Sequence, residues 1–405
     1  MKIAIWGLGV TGRAVLDYCI RNNYEDVIVI NRGDPSSWGE EISYLCVSEE
    51  KAFKELNNID QIIVSPGVDL KSPRISDFRN KNIPIIGEIE FAFQKMRNGK
   101  IIAVTGTNGK TTTVKLIAKA LELAGKKVFL GGNIGTPFID AFKLDDDFDF
   151  YVLELSSFQL ETIVNFRPDI AAILNITESH MERYQSFEEY KQAKHNIFKN
   201  MTKRQLRILP TDIRPYTSFT PTNSYLRGEH SLKNLWVCQK ILNSLGIMDI
   251  ESLFKRLDKE FVGADYRFQF KKVGDIDFIN DAKSTNFDAT IAALKSLEKK
   301  DVVLIMGGQL REENLRRSEV LASFQNIKNL YLIGESATKM SEIYQGDFDC
   351  KVFVRLEDVL RDLEINCGCT VLFSPGFPSF DQYRNYLERG EQFNKLVDDL
   401  FNISR

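Results

Sequence analysis

The first 96 residues of the chain contain four short apolar runs, and an amphipathic segment lies between the first two of them. The spacing of apolar residues predicts a helix over residues 13–22. The apolar runs predict strands at residues 2–6, 27–30, 61–64 and 83–86. Because strands that are separated by helices form parallel sheets covered on both faces, this segment is predicted to be an α/β domain.

The same alternation continues to the end of the chain, in a second segment that begins near Asn98 and a third that begins near Gly263. The predicted domains are therefore 1–96, 97–263 and 264–405. Further strands are predicted at residues 101–105, 128–130, 150–154, 170–174, 278–280, 302–306, 330–333, 352–354 and 370–373. Further helices are predicted at residues 111–124, 186–200, 231–245, 287–297 and 382–400. The Pro-containing stretch before residue 231 is predicted to be loop or edge structure.

Composition excludes several classes of protein. Hydrophobic residues make up 43% and charged residues 27% of the 405 residues, which is typical of globular domains and excludes a mainly disordered chain. No apolar run approaches the about 18 residues of a membrane span, so we expect a cytoplasmic protein without a membrane partner. The net charge of -3 offers no global reason to bind nucleic acid.

Cysteine and histidine usage limits the metal chemistry that is possible. The six cysteines are scattered, and the spacing of Cys367 and Cys369 differs from that of zinc-binding pairs, so free thiols are predicted. Three histidines are too few for a site that is built from several imidazoles. Any metal ion is therefore expected to be held by oxygen ligands.

The first predicted strand leads into a complete G-x-G-x-x-G motif, from Gly7 to Gly12. These glycines allow a tight turn and a close backbone approach to a diphosphate at the helix N-terminus. A nicotinamide dinucleotide would also need an acidic residue about 20 positions further on, where Asn31 and Arg32 stand instead. A different diphosphate, with Arg32 as its counter-charge, is favoured over NAD. The alternative is a turn that serves only strand-to-helix packing.

The strongest motif is the glycine-rich loop of residues 106–112, which lies between a predicted strand and a predicted helix. In such a loop the backbone amides surround phosphates, the lysine reaches the outer phosphates, and the next hydroxyl contacts Mg²⁺. Val104 stands where the full P-loop pattern has its first glycine, but nucleotide binding is still favoured over a purely structural turn. The predicted nucleotide-binding residues of this loop are Gly106, Thr107, Asn108, Gly109, Lys110, Thr111 and Thr112.

Three single residues are further candidates whose placement alone does not decide their role. Glu154 ends a predicted strand and can be either a Mg²⁺ ligand or a solvated cap. A lone histidine after a strand, such as His180, is more often packed or exposed than a ligand. Lys194 lies on the next predicted helix, where a lysine ordinarily faces solvent.

Together these segments resemble the ATP-dependent Mur ligases, which add amino acids to the peptidoglycan precursor. The matching segments, in family order, are GTNGKTTT at 106–113, GGNIGTP at 131–137, ELSSFQL at 154–160 and NITESHMERY at 175–184. Residues 281–286 and 374–390 look like the branch of the family that adds D-glutamate. The resemblance covers nearly the whole chain.

The resemblance implies an α/β protein of three domains: an N-terminal Rossmann-like domain, a central P-loop ATPase-type domain with a parallel sheet, and a C-terminal Rossmann-like domain. It implies ATP and two Mg²⁺ ions as cofactors, with UDP-N-acetylmuramoyl-L-alanine and D-glutamate as the other substrates. The substrate carboxylate would be activated as an acyl phosphate before the amine attacks it. We expect a monomer.

The resemblance also implies roles for individual residues. Lys110 and Thr111 would hold phosphate and Mg²⁺, Lys194 would carry a carbamate, and Lys283 would contact the reacting phosphate. The implied metal ligands are Thr111, Glu154, His180 and Lys194. The nucleotide would also contact Asn234, Arg267 and Asp281. The UDP-sugar would be bordered by Val10, Thr11, Asn31, Arg32, Ser65, Pro66, Gly67 and Asn133. The amino acid would be surrounded by Thr285, Arg311, Ser379 and Tyr386.

Several features depart from the family pattern. The segment between Lys194 and His230 is short, and Gly376-Phe-Pro378 replaces a stretch of small residues. Ser231 stands where the family has an adenine-contacting Asn, and Arg311 replaces a Lys.

Two other functions therefore stay open at this point. A related ligase such as a folylpolyglutamate synthase is one, although the segment at Asp281 argues against it. A UDP-sugar sensor without catalytic activity is the other. The presence of Lys110, Glu154, His180 and Lys194 together argues against a sensor, because a sensor needs no second metal site.

Overall fold

The structure is a computed structural model. It describes residues 2–31, 45–48, 59–143, 147–181, 183–218, 220–226, 228–297, 300–311, 315, 318–363 and 369–401. The described helices are α1 Val10–Arg21, α2 Pro73–Asn80, α3 Glu88–Phe93, α4 Lys110–Leu123, α5 Ser157–Leu160, α6 Phe187–His195, α7 Glu229–Ser244, α8 Ile250–Glu260, α9 Phe287–Lys295, α10 Ala337–Ile343, α11 Leu356–Asp362 and α12 Tyr386–Phe401. None of them is long and apolar enough to cross a membrane.

The strands form separate sheets in the three predicted domains. The strands are β1 Ile3–Trp6, β2 Val27–Asn31, β3 Leu45–Ser48, β4 Gln61–Val64, β5 Ile85–Gly87, β6 Lys100–Thr105, β7 Val128–Gly132, β8 Phe150–Glu154, β9 Ile170–Ile173, β10 Leu206–Ile208, β11 Gln269–Val273, β12 Ile276–Asn280, β13 Val302–Gly307, β14 Ile327–Ile333, β15 Cys350–Phe353 and β16 Thr370–Phe373. The α/β prediction is confirmed. The domain boundaries stay a prediction.

The first two sheets are entirely parallel, with strand orders β3-β2-β1-β4-β5 and β10-β9-β6-β8-β7. Three of their inner strands, β1, β8 and β9, are short, mainly apolar runs that are buried along their whole length, as strands covered by helices on both faces are. Ile3, Val29, Ala103 and Leu153 belong to one apolar cluster that extends through both sheets. The strand orders place β1 and β6 inside their sheets, and each of these strands precedes a glycine-rich loop.

The third sheet has the order β11-β12-β16-β13-β14-β15, and its β11–β12 pair is antiparallel while the other pairs are parallel. Buried side chains cover both of its faces, for example Leu304 and Leu372 on one face and Phe373 and Phe393 on the other. Contacts within the chain define two compact units. The first comprises residues 1–176, 184–213 and 237–253, and the second comprises residues 177–183, 214–236 and 254–405.

The four cysteines whose side chains the structure describes, Cys19, Cys238, Cys350 and Cys369, are free thiols, as predicted. Cys46 and Cys367 have side chains outside the described part of the chain.

Two buried carboxylates of α3 join the first sheet to the second within the first unit. Glu90 accepts backbone hydrogen bonds from the N–H groups of Val164 at 2.9 Å and Phe166 at 2.8 Å. Glu88 accepts one from Ile139 at 2.6 Å and is 3% exposed. Burial raises the pKa of Glu88 to about 7, and the charge of nearby Asp140 adds to this, although the Ile139 N–H opposes it.

The raised pKa of Glu88 predicts a pH-dependent stability for the first unit. Because the folded-state pKa is above the unfolded value, the favourable contribution of the protonated carboxyl is complete below about pH 4.5 and is lost as the pH rises through about 7. This contribution is at most roughly 3 to 4 kcal/mol. Glu88→Gln has no proton to lose, so its melting temperature should exceed that of the wild type more at pH 8 than at pH 5.5.

Thermal melts of both proteins at the two pH values test this expectation. Glu122→Gln, at an exposed position of α4, is the control and should follow the wild type. A constant difference between Glu88→Gln and the wild type at both pH values would show that Glu88 is not the titrating group.

Candidate active site

The phosphate-loop motif lies between β6 and α4, as predicted. Gly106 has a φ of 153° and Gly109 has a φ of 86°, and both values belong to the region that favours glycine. A Cβ at Gly106 would lie 3.1 Å from the Cβ of Leu174. The turn therefore needs glycine at these two positions, and it directs the N-terminal N–H groups of α4 toward the loop.

Asn175 holds this loop in place by three hydrogen bonds. Its Oδ1 accepts the N–H of Asn108 at 2.8 Å, and its Nδ2 donates to the carbonyl of Asn108 at 2.9 Å. Its own carbonyl accepts the N–H of Thr107 at 2.9 Å. In the sequence Asn175 stood out only as part of the motif at 175–184, and its position two residues after the end of β9 was the signal that could have revealed this role.

Lys110 begins α4, and its side chain folds back over the loop. Its Nζ atom donates to the carbonyl of Gly106 at 2.8 Å and to that of Thr107 at 2.9 Å. The ammonium group thus lies over the segment in which the backbone amides of such loops surround phosphates.

Thr111, Glu154 and Asn133 meet beside the loop. The hydroxyl of Thr111 donates to Oε2 of Glu154 at 2.7 Å, and Nδ2 of Asn133 donates to Oε1 at 3.0 Å. Gly132, with a φ of 98°, makes this possible, since a Cβ there would lie 2.4 Å from the carbonyl oxygen of Glu154. A hydroxyl and a carboxylate are oxygen ligands that Mg²⁺ accepts.

The described residues contain no cluster of three or more His, Cys, Asp or Glu side chains that could hold a metal ion. The Thr111–Glu154 pair fits an ion that takes few protein ligands and completes its coordination with phosphates and water, as Mg²⁺ does at nucleotide sites.

Lys194 is buried, with 2% of its surface exposed, although its helix position alone would leave it in solvent. Its Nζ donates to the carbonyl of Gly106 at 2.9 Å and lies 4.7 Å from the ring centre of Tyr190. The Tyr190 hydroxyl in turn lies 3.1 Å from Oγ1 of Thr107. Burial lowers the pKa of Lys194, and the positive charge of Lys110 lowers it further, while Glu154 opposes both effects. Tyr190 was not identified as a site residue from the sequence.

The glycine-rich turn of the first sheet is closed by Ser65. Gly7 has a φ of 93°, and its carbonyl accepts the Ser65 hydroxyl at 2.8 Å. A Cβ at Gly12 would lie 1.8 Å from the carbonyl oxygen of Gly7, so the helix can approach the turn only with glycine there. The carboxyl ends of β1, β2 and β4 lie side by side at this edge, because these strands are parallel neighbours.

The other predicted UDP-sugar residues of the first segment lie at the same strand ends. Val10 is 73% exposed at the start of α1 and is followed by Thr11, while Asn31 ends β2. Pro66 is half-buried and Gly67 is exposed, directly after Ser65. Arg32 lies outside the described residues.

Asp281 is at the centre of a buried network in the second unit. Its Oδ1 accepts the N–H of Phe268 at 3.0 Å, and its Oδ2 accepts the hydroxyls of Ser284 and Ser374. Burial raises the pKa of Asp281, against the effect of these hydrogen bonds and of the Arg267 charge. Asp281 therefore holds the loop that carries Arg267 in place through its hydrogen bond to the N–H of Phe268.

Arg267 lies between two residues with left-handed backbone conformations, Tyr266 with a φ of 53° and Phe268 with a φ of 50°. Such conformations are costly for residues with side chains and often occur at functional sites. The carbonyl of Tyr266 accepts the N–H of Lys283 at 3.0 Å. The loop that carries Arg267 and the loop that carries Lys283 are thus joined.

The remaining predicted residues of the second unit lie on several segments. Nζ of Lys283 lies 3.3 Å from the hydroxyl of Tyr386 and 5.1 Å from its ring centre. Ser379 is buried, while Thr285 and Arg311 are half-buried. Asn234 and Ser231 are buried on α7, and His180 has a φ of 61°. The ligand set that includes His180 stays a prediction.

Comparisons with known proteins agree with the resemblance that the sequence motifs carry. Residues 104–237 match the Mur ligase middle domain, and residues 1–87 match the Mur ligase MurD-like, N-terminal domain. The chain is 34% identical over 393 residues to the UDP-N-acetylmuramoylalanine--D-glutamate ligase of Koribacter versatilis, covering 86% of this chain and 84% of the relative. It is 32% identical over 454 residues to the enzyme of the same name from Thermoanaerobacter sp., covering 98% of each protein.

Solved structures of related ligases share the fold. The structure of UDP-N-acetylmuramate-alanine ligase MurC from Thermotoga maritima matches with a TM-score of 0.60 and 19% identity, covering 98% of this chain and 99% of that one. The structure of MurF ligase from the same organism, in complex with ADP, matches with a TM-score of 0.63 and 17% identity, covering 93% of this chain and 95% of that one. At these identities the likeness shows the fold alone.

Proposed function

The chain belongs to the Mur ligase family, and from this premise we propose that it adds D-glutamate to UDP-N-acetylmuramoyl-L-alanine, with ATP converted to ADP and phosphate, in peptidoglycan synthesis. The relatives that carry the name of this activity align with nearly the whole chain. The observation that carries the proposal is the phosphate loop with Lys110, Thr111, Glu154 and buried Lys194 around it. The enzyme uses ATP and Mg²⁺.

The reaction requires two anions to approach each other. A substrate carboxylate must attack the terminal phosphate of ATP, and each pair of unit charges at 4 Å costs about 1 kcal/mol in water and several times more in a drier site. Cationic side chains must therefore line the cleft. Lys110, held over the loop, and Lys283, on the loop beside Arg267, are proposed to provide this charge at the transferring phosphate.

Thr111 and Glu154 are proposed to hold one Mg²⁺ ion, and Glu154, His180 and the carbamate of Lys194 a second. Bound Mg²⁺ would neutralise phosphate charge and polarise the phosphoryl oxygens. Asn133 orients the Glu154 carboxylate by its hydrogen bond to Oε1, so it would fix the direction from which that oxygen meets the ion.

Carbamylation of Lys194 is proposed because a buried ammonium is otherwise poorly accommodated there. The side chain has 2% exposure and one backbone carbonyl at 2.9 Å as its partner in this network. The ammonium first loses one proton. Addition of CO₂ to the resulting neutral amine then forms an N–C bond and releases a second proton, so that a cation becomes an anion. That anion would be paired with Lys110 and with a metal ion.

The nucleotide is proposed to contact the loop residues Gly106 to Thr112 together with Asn234, Arg267 and Asp281. The UDP-sugar is proposed to lie at the strand ends of the first sheet, bordered by Val10, Thr11, Asn31, Arg32 and the turn Ser65-Pro66-Gly67, with Asn133 on the substrate side of the cleft. The backbone there needs glycine at positions 7 and 12, which is consistent with a close approach to a diphosphate. We also propose a cytoplasmic monomer without nucleic-acid or membrane partners.

The amine substrate is proposed to be held by Thr285, Arg311, Ser379 and Tyr386. D-glutamate has two carboxylates, and Arg311 with Thr285 would take one while Ser379 and the backbone near Tyr386 take the other. After the acyl phosphate forms, the amine attacks its carbonyl carbon, and the tetrahedral intermediate expels phosphate to give the amide. Inverting the α-carbon would move the amine away while both carboxylates stay anchored.

An amino-acid panel tests this assignment. ADP formation is measured with ATP, UDP-N-acetylmuramoyl-L-alanine and, in turn, D-glutamate, L-glutamate, lysine and diaminopimelate. D-glutamate should exceed the others by up to about 10⁴-fold, because charged groups in the site would be left unpaired by an analogue without the matching carboxylate. Preference for another amino acid would contradict the D-glutamate assignment but leave the ligase class intact, and no turnover with any of them would favour a sensor.

A further inference from the structure

Arg389, in the first turn of α12, contacts both loops that are proposed to bind the amino acid. It is 1% exposed. Its Nη2 atom donates to the carbonyl of Ala282 at 2.9 Å and to the carbonyl of Phe377 at 3.0 Å. Ala282 precedes Thr285 on one loop, and Phe377 precedes Ser379 on the other. One guanidinium nitrogen therefore joins the two loops.

Stability alone does not explain an arginine at this position. Burial lowers the pKa of Arg389 to about 10, so the side chain is still a cation at neutral pH. A cation near a helix N-terminus is unfavourable, because the helix dipole is positive there. Its Nε and Nη1 atoms are buried without a hydrogen-bond partner among the described residues. An apolar side chain of similar size would avoid these penalties, so the feature that requires arginine is its pair of bonds to the two carbonyls.

The surroundings of Arg389 are shaped to fix its guanidinium group. A Cβ at Gly308, directly after β13, would lie 3.0 Å from Nη1 and 2.3 Å from the carbonyl oxygen of Pro378. The charge of Asp381, whose Oδ2 accepts the N–H of Glu335 at 3.1 Å, favours the cationic form of Arg389. The guanidinium thus has a defined position between the end of β13 and the loop that carries Phe377.

Gly390, the next residue of α12, contacts the loop that carries Arg267 and the end of β12. A Cβ at Gly390 would lie 2.2 Å from the Cγ atom of Tyr266, so the Tyr266 ring packs directly against the helix backbone beside Arg267. The carbonyl of Gly390 accepts Nδ2 of Asn280 at 2.8 Å, at the end of β12. The start of α12 is therefore a common support for the loops that carry the proposed amino-acid and phosphate contacts.

We propose that Arg389 is a positioning residue for the amino-acid subsite. It fixes the turn before Ser379 relative to the loop of Thr285, and it acts through their backbone carbonyls rather than through contact with the substrate. Loss of these bonds lets the two carboxylate contacts drift apart, which weakens amino-acid binding more than nucleotide binding. This inference rests on the proposed function.

The test compares Arg389→Met and Arg389→Lys with the wild type. The KM for D-glutamate should rise about tenfold or more in Arg389→Met, while the KM values for ATP and for the UDP-linked substrate change less than about twofold. Arg389→Lys should recover part of this loss, because its ammonium can donate to one carbonyl. Arg384→Met is the matched control, since Arg384 has an 85% exposed side chain paired with Glu388, and it should retain wild-type values.

Hydroxylamine, a small amine that needs no carboxylate contacts, separates positioning from general damage. It should trap the acyl phosphate as a hydroxamate at near wild-type rates in Arg389→Met. Equal losses with D-glutamate and hydroxylamine, at an unchanged KM for D-glutamate, would overturn the proposal. If Arg389→Met does not fold, an unchanged KM in Arg389→Lys overturns it, and a raised KM supports it. A wild-type protein without D-glutamate-dependent ADP release would contradict the proposed function instead.

Discussion

Lys110→Ala is expected to lose phosphoryl transfer. The Nζ atom lies over the phosphate loop through its bonds to the carbonyls of Gly106 and Thr107, and alanine leaves no cation at that place. Removal of one charged group that stabilises a transition state lowers turnover by about 10²- to 10³-fold. Single-turnover phosphate release from ATP, with the UDP-linked substrate and D-glutamate present, measures the effect.

The control for this variant is Lys126→Ala, which removes an exposed lysine just after α4. It should keep wild-type turnover, so a loss confined to Lys110→Ala would not be a general effect of charge. Near-normal phosphate release from Lys110→Ala would show that another group neutralises the transferring phosphate.

Lys194→Ala is expected to be inactive, with a loss of about 100-fold or more, and to be partly restored by formate or acetate. The buried lysine lies against the Gly106 carbonyl, so the substitution leaves room for a small carboxylate that can occupy the place of the proposed carbamate. ADP formation is measured over a range of added carboxylate, with chloride as the salt control.

Lys191→Ala, on the same helix and 44% exposed, should behave as the wild type and show no response to carboxylate. Mass spectrometry of the native protein at neutral pH, with and without added bicarbonate, provides a readout that does not depend on turnover. Lys194→Ala with most of its activity, or inactive without any rescue, would contradict the carbamate role.

Local motifs predicted the parts of the site that lie within one loop. Lys110 and Thr111 begin α4, directly after the loop that follows β6. The glycines at 106 and 109 could be recognised in the sequence because a short turn between a strand and a helix allows few residue types. From its position in the sequence, Glu154 was either a Mg²⁺ ligand or a solvated cap. The parallel pairing of β6 with β8 brings the two strand ends together, and Thr111 donates to the Glu154 carboxylate there.

The burial of Lys194 could not be predicted from its helix. The spacing of residues shows on which face of the helix the side chain lies, but it does not show that the carbonyl of a distant loop covers that side chain. Glu90 was missed for the same reason, since it binds backbone groups 74 to 76 residues away. Strands β3, β10 and β11 were also not predicted. β10 has only three residues, and β11 is an edge strand in which Lys271 and Lys272 interrupt the apolar pattern.

Arg389 shows a different limit of the sequence. It belongs to the segment 374–390 that carried the resemblance, but its role depends on carbonyl groups, which every residue has and no motif records. Only the folded structure shows that Ala282 and Phe377 present these oxygens to one side chain.

Phosphate release in a set of reactions that each omit one substrate tests the central claim most directly. The full mixture contains the protein, Mg²⁺, ATP, UDP-N-acetylmuramoyl-L-alanine and D-glutamate. The proposed function predicts sustained release only in the full mixture, with one ADP and one D-glutamate adduct of the UDP-linked substrate formed for each phosphate. Sustained release that is independent of D-glutamate, or of the UDP-linked substrate, would contradict it.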